Sequence, residues 1–217
     1  MIRIAIVDDH HLVRVGTCRL LADVEGLEVV GEAATGEEAI ELVRDVKPDL
    51  VLMDIQMPGI GGLEATRRCL RLVPELKIII LTVHLCEPYP SKLLRAGAHG
   101  YLTKQARVDE MVLAIRKVMK GQRYISSDIA QQLALRPFSQ DDVASPFEYL
   151  SNREMQIALM VIEGHRVPDI SESLSLSPKT VNSYRYRLFE KLGVNNDVGL
   201  TKLAIKHHII ETDALGI

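Results

Sequence analysis

Asp49-Leu50-Val51-Leu52-Met53-Asp54-Ile55-Gln56-Met57-Pro58-Gly59 is an apolar run that terminates on a carboxylate and is followed at once by turn residues. Leu-Val-Leu-Met without polar alternation fits a central strand of a parallel sheet, covered on both faces, and Pro58-Gly59 stops it. Asp54 therefore stands at the carboxyl end of a buried strand. In open α/β sheets ligands bind along that edge, so what the rest of the chain brings to Asp54 decides the chemistry.

The same unit repeats on either side. Arg3 to Val7 reads as a strand ending in Asp8-Asp9, and His11 to Val24 has helix-period apolar positions at Leu12, Val15, Leu20 and Leu21. Leu27 to Ala33 (strand), Gly36 to Val46 (helix), Leu50 to Met53 (strand) and Leu63 to Leu72 (helix) follow. Lys77 to Leu81 is a strand ending in Thr82; then come a helix around Ser91 to Ala96, a short strand Gly100-Tyr101-Leu102 before Lys104, and a helix from Val108 to Lys120. Five strands alternating with five helices predict an α/β domain over residues 1 to 120, a doubly wound parallel sheet with right-handed crossovers.

The strand ends would gather Asp8, Asp9, Asp54, Thr82 and Lys104 at one edge. Three carboxylates in one pocket repel each other unless a cation joins them, and hard oxygen ligands with room for water and phosphate suit Mg²⁺. Lys104 adds a fixed cation and Thr82 a hydroxyl donor, the complement of a phosphoryl oxygen. That chemistry makes Asp54 a nucleophile that accepts a phosphoryl group.

Length and composition agree with two small domains. The chain has 217 residues, 47% of them hydrophobic, a formal charge of -3 and a pI of about 6.2. Residues 178 to 206 nevertheless hold six Lys or Arg against two acids, a local excess of 6 − 2 = +4. Cys18, Cys69 and Cys86 have no C-x-x-C spacing and read as buried or partly buried thiols rather than a disulfide framework or zinc site. With no basic leader at Met1 and no 18-residue apolar run, the expectation is a soluble, cytoplasmic protein without a membrane partner.

Residues 121 to 146 lose the periodic pattern and read as a linker carrying a short helix, Ser127 to Leu135, then the polar, proline-bounded stretch Arg136 to Pro146. Residues 147 to 217 form a second, all-α domain. Ser151 and Glu154 have capping-box spacing ahead of Met155 to Ile162, Gly164 stops that helix, and Pro168 opens a short one through Leu174. Ser177 caps a third helix with Pro178 in its first turn, running to Leu192 before Gly193. Val181, Leu188 and Leu192 share one side of it, while Lys179, Asn182, Ser183 and Tyr186 point elsewhere, which makes a helix-turn-helix with a polar, basic outer face.

Competing readings fail on spacing. Gly59-Ile60-Gly61-Gly62 lacks the third-glycine spacing of a dinucleotide loop. His10-His11 and His207-His208 have no partner pair at ligand spacing and read as solvent-exposed. A phosphatase using an aspartyl phosphate would need a general acid two residues after Asp54, where Gln56 cannot shuttle a proton.

The acid pair Asp8-Asp9, Asp54 with Met57-Pro58, Thr82, Tyr101 and Lys104 resemble, in that order, the receiver domain of bacterial response regulators. Gln105 stands where many receivers have proline, and His84 to Pro90 is unusually proline-rich. Leu150-Ser151-x-Arg153-Glu154, Leu176-Ser177-x-Lys179-Thr180-Val181 and Lys191-Leu192-Gly193 resemble the LuxR-type helix-turn-helix domain. The combination is that of the NarL/FixJ class, and the whole-chain pattern looks closest to its GacA/UvrY group. This resemblance implies a flavodoxin-like sheet of order 2-1-3-4-5, with Asp54 the phosphoacceptor, Mg²⁺ on Asp8, Asp9 and Asp54, and Tyr101 a switch that turns inward. It also implies a sensor histidine kinase or phosphotransfer domain as phosphodonor, and no enzymatic role beyond the protein's own phosphoryl transfer and dephosphorylation. The second domain is expected to bind double-stranded promoter DNA as a homodimer through Lys179, Thr180, Asn182, Ser183, Tyr186 and Arg187, activating genes for small regulatory RNAs. A resting receiver that covers the recognition helix belongs to the same expectation.

Overall fold

Runs of branched apolar residues build the strands of the first unit: β1 (Ile2–Val7), β2 (Leu27–Ala33), β3 (Leu50–Asp54), β4 (Lys77–Thr82), β5 (Gly100–Thr103) and β6 (Tyr124–Ile125). The computed structural model describes residues 1–82, 93–127, 129–131, 145–207 and 209–210. The chain divides near residue 139 into two compact units.

All pairings in the sheet are parallel, in the order β2-β1-β3-β4-β5-β6. Five strands were expected, and the described residues form six. The extra one, Tyr124–Ile125, falls in the stretch read as linker and pairs Gly100 with Tyr124 and Tyr101 with Ile125. Two residues have no detectable period, so only the free edge of β5 makes them a strand.

β3 is buried along its whole length, as its unbroken apolar run requires. On one face Ile4, Ile6, Leu50, Leu52, Ile79, Leu81 and Leu102 pack with Met111, Ala114, Ile115 and Val118 of α4 (Val108–Met119) and with Leu21 of α1 (His11–Ala22). Alternate residues Ala5, Val51, Met53, Ile78 and Ile80 are equally buried, so both faces are covered. Each such Leu or Ile contributes about 1.5–3 kcal/mol of burial, which is what holds the strand ends in register. α2 (Gly36–Val46) and α3 (Gly61–Leu72) complete the crossovers among the described residues. The expected helix around Ser91 to Ala96 is described only at residues 93–96, of which 93–95 are helical and Ala96 is in a turn. Of the expected Ser127 to Leu135 helix only 127 and 129–131 are described, also helical, and Arg136 to Ala144 lie outside the described residues.

The second unit opens with a 3-10 turn, Pro146–Tyr149, whose Phe147 is fully buried. Among the described residues four helices follow: α5 (Asn152–Ile162), α6 (Val167–Ser173), α7 (Pro178–Leu192) and α8 (Asp197–Lys206). The capping box is formed in both directions, Ser151 Oγ accepting from Glu154 N at 3.3 Å and Glu154 Oε2 from Ser151 N at 2.7 Å. Ser177 caps α7 and Gly193 ends it with φ 66°, the left-handed conformation that glycine adopts without a Cβ penalty. Between α6 and α7 the chain turns through Ser175 at φ 52°, and Arg153 Nη2 donates to the Leu174 carbonyl at 2.6 Å. A residue from α5 thus clamps the tight turn that aims α7.

Candidate phosphoacceptor pocket and nucleic-acid interface

β1 and β3 are neighbours in the sheet, with Val7 paired to Met53, so Asp8 and Asp54 emerge side by side at the carboxyl edge. The Lys104 ammonium lies 2.7 Å from Asp54 Oδ2 and 2.8 Å from Asp8 Oδ2, with all three side chains nearly or wholly buried. Lys104 is placed by its own backbone, whose N–H donates to the Thr82 carbonyl at 2.7 Å. Thr82 and Tyr101 are both buried, at 2% and 0% exposure. Tyr101 is therefore already inside, so an inward turn does not start from the conformation seen here.

Asp54 is held high, at about 7 against an ordinary 3.8. Burial is the main cause; Lys104 and the Gln56 N–H pull the other way, and the Asp8 carboxylate adds to the rise. Lys104, in spite of its burial, is pushed up by Asp54 and Asp8. Asp54 and Lys104 thus form a buried pair poised to respond to added charge.

Oxygen atoms of Asp8, Asp9 and Asp54 and a ring nitrogen of His10 all lie within 4.8 Å of one another. Asp8 Oδ2 and Asp9 Oδ1 are buried, with Lys104 Nζ 2.8 Å from the first and His10 Nδ1 2.8 Å from the second. Hard oxygen donors with unspent lone pairs fit a divalent cation such as Mg²⁺. His10, read from sequence as a solvent-exposed residue, is 61% exposed yet brings Nδ1 to 2.8 Å from Asp9 Oδ1. No second histidine pair stands at ligand spacing; the signal for this contact in the sequence is the adjoining Asp8-Asp9.

Two neighbours of Asp54 escaped the sequence reading. Gly62 donates to the Ile55 carbonyl at 2.9 Å, and a Cβ there would stand 1.8 Å from the Asp54 carbonyl oxygen, so only glycine lets α3 begin against the end of β3. Glu37 of α2 accepts from Ile60 N at 3.2 and 3.4 Å and braces the loop after Asp54. Neither is visible without the fold, since Glu37 lies on another helix.

In the second unit Val181, Leu188 and Leu192 are buried, which turns the opposite side of α7 outward. Lys179, Asn182, Ser183, Tyr186 and Arg187 line a concavity of about 790 Å³ on it, with Tyr186 73% exposed. Arg187 stacks on Tyr184, guanidinium carbon 4.6 Å from the ring centre. Thr180 is not among the lining residues; its hydroxyl is 2.8 Å from Ser177 Oγ, at the cap. The charge excess counted along the sequence is partly spent inside the unit: Arg185 pairs with Asp197, and Lys191 with Glu154 at 2.7 Å. Among the described residues Lys179, Arg187, Lys202 and Lys206 make no ion pair, which leaves the surface basic around α7.

Residues 4–116 match the response regulator receiver domain, and residues 148–204 match the bacterial regulatory proteins of the luxR family. The chain belongs to the LuxR-type response regulators. This regulator is 56% identical over 211 residues to Response regulator GacA of Pseudomonas aeruginosa, covering 97% of this chain and 99% of that protein. It is 55% identical over 215 residues to Response regulator UvrY of Escherichia coli K12, covering 99% of each. Among solved structures it is similar to RcsB from Salmonella enterica serovar Typhimurium bound to a promoter with the phosphomimetic BeF3⁻. The identity there is 26%, the coverage 93% of this chain and 97% of the other, and the TM-score 0.68. As a response regulator of this type it is a two-component, DNA-binding transcription regulator, and no helix among its described residues is long and apolar enough to cross a membrane.

Proposed function

We propose that this response regulator accepts a phosphoryl group on Asp54 from a sensor histidine kinase or phosphotransfer domain and then binds promoter DNA as a homodimer. The observation that carries it is the buried Lys104 ammonium set between Asp54 and Asp8. An Asp54 carboxylate oxygen attacks phosphorus, the new O–P bond forms, the P–N bond of the donor phosphohistidine breaks, and the freed imidazole takes a proton. Asp54 must be ionised to attack, and Lys104 favours that form against the cost of burial. Mg²⁺ held by Asp8, Asp9 and Asp54 would offset the charge gathering on the phosphoryl oxygens. Thr82 donates its hydroxyl to the bound phosphoryl group, and the buried Tyr101 fills the space beside it. The same pocket, with water as nucleophile, returns the carboxylate; no other turnover is assigned to the chain.

In the second domain Asn182, Ser183 and Tyr186 face bases in the major groove while Lys179 and Arg187 reach phosphates, and Thr180 supports the helix start. Ser183 Oγ donates to the Lys179 carbonyl at 2.9 Å, so it reads a base through a lone pair or after rotating. The resemblance to GacA and UvrY supports small regulatory RNA genes as the targets; in this reading they are transcribed more when Asp54 is phosphorylated, in the cytoplasm. The test is footprinting of the full-length protein on genomic fragments, with and without acetyl phosphate and Mg²⁺. Phosphodonor should sharpen protection at paired half-sites, and Asp54→Asn should lose both the acid-labile phosphate and that response. Undiminished labelling of Asp54→Asn would reject the phosphoacceptor assignment.

A further inference from the structure

His10 and His11 follow the acid pair directly, yet their rings have different neighbours. His11 Nδ1 lies 3.2 Å from Arg14 Nη2, facing along α1. His10 Nδ1 lies 2.8 Å from Asp9 Oδ1 and 3.4 Å from Asp8 Oδ1, facing the carboxylates. The backbone makes this placement persistent: His10 is the extended residue that precedes α1, and its own N–H donates to Asp8 Oδ1 at 2.8 Å. Peptide and ring of one residue thus hold two acids, and the ring nitrogen falls in the same 4.8 Å cluster as the oxygens of Asp8, Asp9 and Asp54.

Donor chemistry then separates cations. Mg²⁺ prefers oxygen and retains water, whereas neutral imidazole suits Ni²⁺ and Zn²⁺, whose affinity for mixed nitrogen and oxygen sites exceeds that of the lighter divalent ions. We infer that His10 is a nitrogen ligand of the acidic pocket, and that the pocket thereby takes a divalent transition cation such as Ni²⁺ or Zn²⁺ in competition with Mg²⁺. The inference rests on reading the Asp8, Asp9, Asp54 cluster as a cation pocket. Occupation by the tighter ion would hold His10 down over the carboxylates, making its ring the part of the pocket that differs between the two metals. With 61% of its side chain exposed, His10 is free to be replaced without loss of fold.

Isothermal titration of untagged, chelator-treated full-length protein with Mg²⁺ alone, with Ni²⁺ alone, and with Ni²⁺ against excess Mg²⁺ tests it. His10→Asn and His10→Ala should each weaken Ni²⁺ by about tenfold or more and Mg²⁺ by less than about twofold, while His11→Asn changes neither. Excess Mg²⁺ should shift the wild-type Ni²⁺ isotherm to weaker apparent affinity. Equal losses for both metals, an unchanged Ni²⁺ affinity in the His10 variants, or Ni²⁺ indifferent to Mg²⁺ would each overturn the assignment. Absence of Mg²⁺ binding to the wild type would instead sink the cation-pocket reading on which it stands, so the two failures are distinguishable.

Discussion

Replacing Asp54 by Asn should make the unphosphorylated receiver more stable, and the gain should depend on pH. Asp54 sits at about 7 in the fold against an ordinary 3.8, chiefly through burial. Between those values the native state retains a proton that the unfolded chain has released, so stability falls as pH rises through that window and levels off above about 7. The difference, 7 − 3.8 = 3.2, at about 1.36 kcal/mol per pH unit, is a cost of about 4 kcal/mol at the upper end. Asparagine never ionises and escapes it, while Lys104 keeps Asp8 as a partner at 2.8 Å. The gap between variant and wild type should therefore widen by about 2–3 kcal/mol from about pH 5 to about pH 8, or roughly 10 °C in Tm for a domain of this size. Calorimetric melting of the full-length protein in chelator reads this directly. The receiver transition is the one that added Mg²⁺ raises in the wild type, by mass action on the native state. Parallel pH profiles for the two proteins, or an Asp54→Asn variant that melts lower at about pH 8, would refute the reasoning.

Arg187→Ala should lower the slope of log affinity against log salt by about 1, whereas Arg185→Ala, removing a cation already paired with Asp197, should leave the slope and lower domain stability. Asn182→Ala should cost about 1–3 kcal/mol at one base pair, read from binding to single-substituted operators; the wild-type target-to-scrambled ratio would rule out base reading. Gly62→Ala, with its Cβ 1.8 Å from the Asp54 carbonyl oxygen, should destabilise the receiver by about 3 kcal/mol or more and slow phosphorylation by acetyl phosphate; a silent substitution would show that α3 is free to shift. His99 Nδ1 accepts from Ile78 N at 3.3 Å, and burial, then Lys77 and Arg123, hold the ring below its ordinary 6.5. Its contribution is complete above 6.5 and is lost as pH falls below it, so His99→Asn, with an oxygen in place of that nitrogen, should flatten the acid side of the urea-midpoint profile.

What could be read in advance was whatever the chain encodes locally. β3 and the caps of the second unit are written in adjacent residues: an apolar run, Ser151 with Glu154, Ser177 with Pro178, Gly193. Asp8, Asp9, Asp54 and Lys104 were legible as a cluster because every parallel strand delivers its last residue to the same edge. Long-range choices were not. The fate of Arg185 and Lys191 depends on carboxylates 12 and 37 residues away, so counting charge along the sequence overstated the free basic surface. Glu37 bracing Ile60 and His10 leaning on Asp9 are likewise contacts that exist only once neighbouring loops are folded.

The short sixth strand alters where the receiver ends. Tyr124 N donates to the His99 carbonyl at 3.2 Å and Ser126 N to the Tyr101 carbonyl at 3.1 Å, while the Tyr124 hydroxyl donates to Glu110 at 3.1 Å and its ring lies under Lys117. A fragment stopped at residue 120 would strip these donors from β5 and leave the peptide groups of His99 and Tyr101 as an open border, the kind of edge onto which a second chain adds a strand. Self-association of such a fragment would then report an artificial cut rather than the regulator's own pairing. A fragment carried through Ser126 retains the natural hem of the sheet.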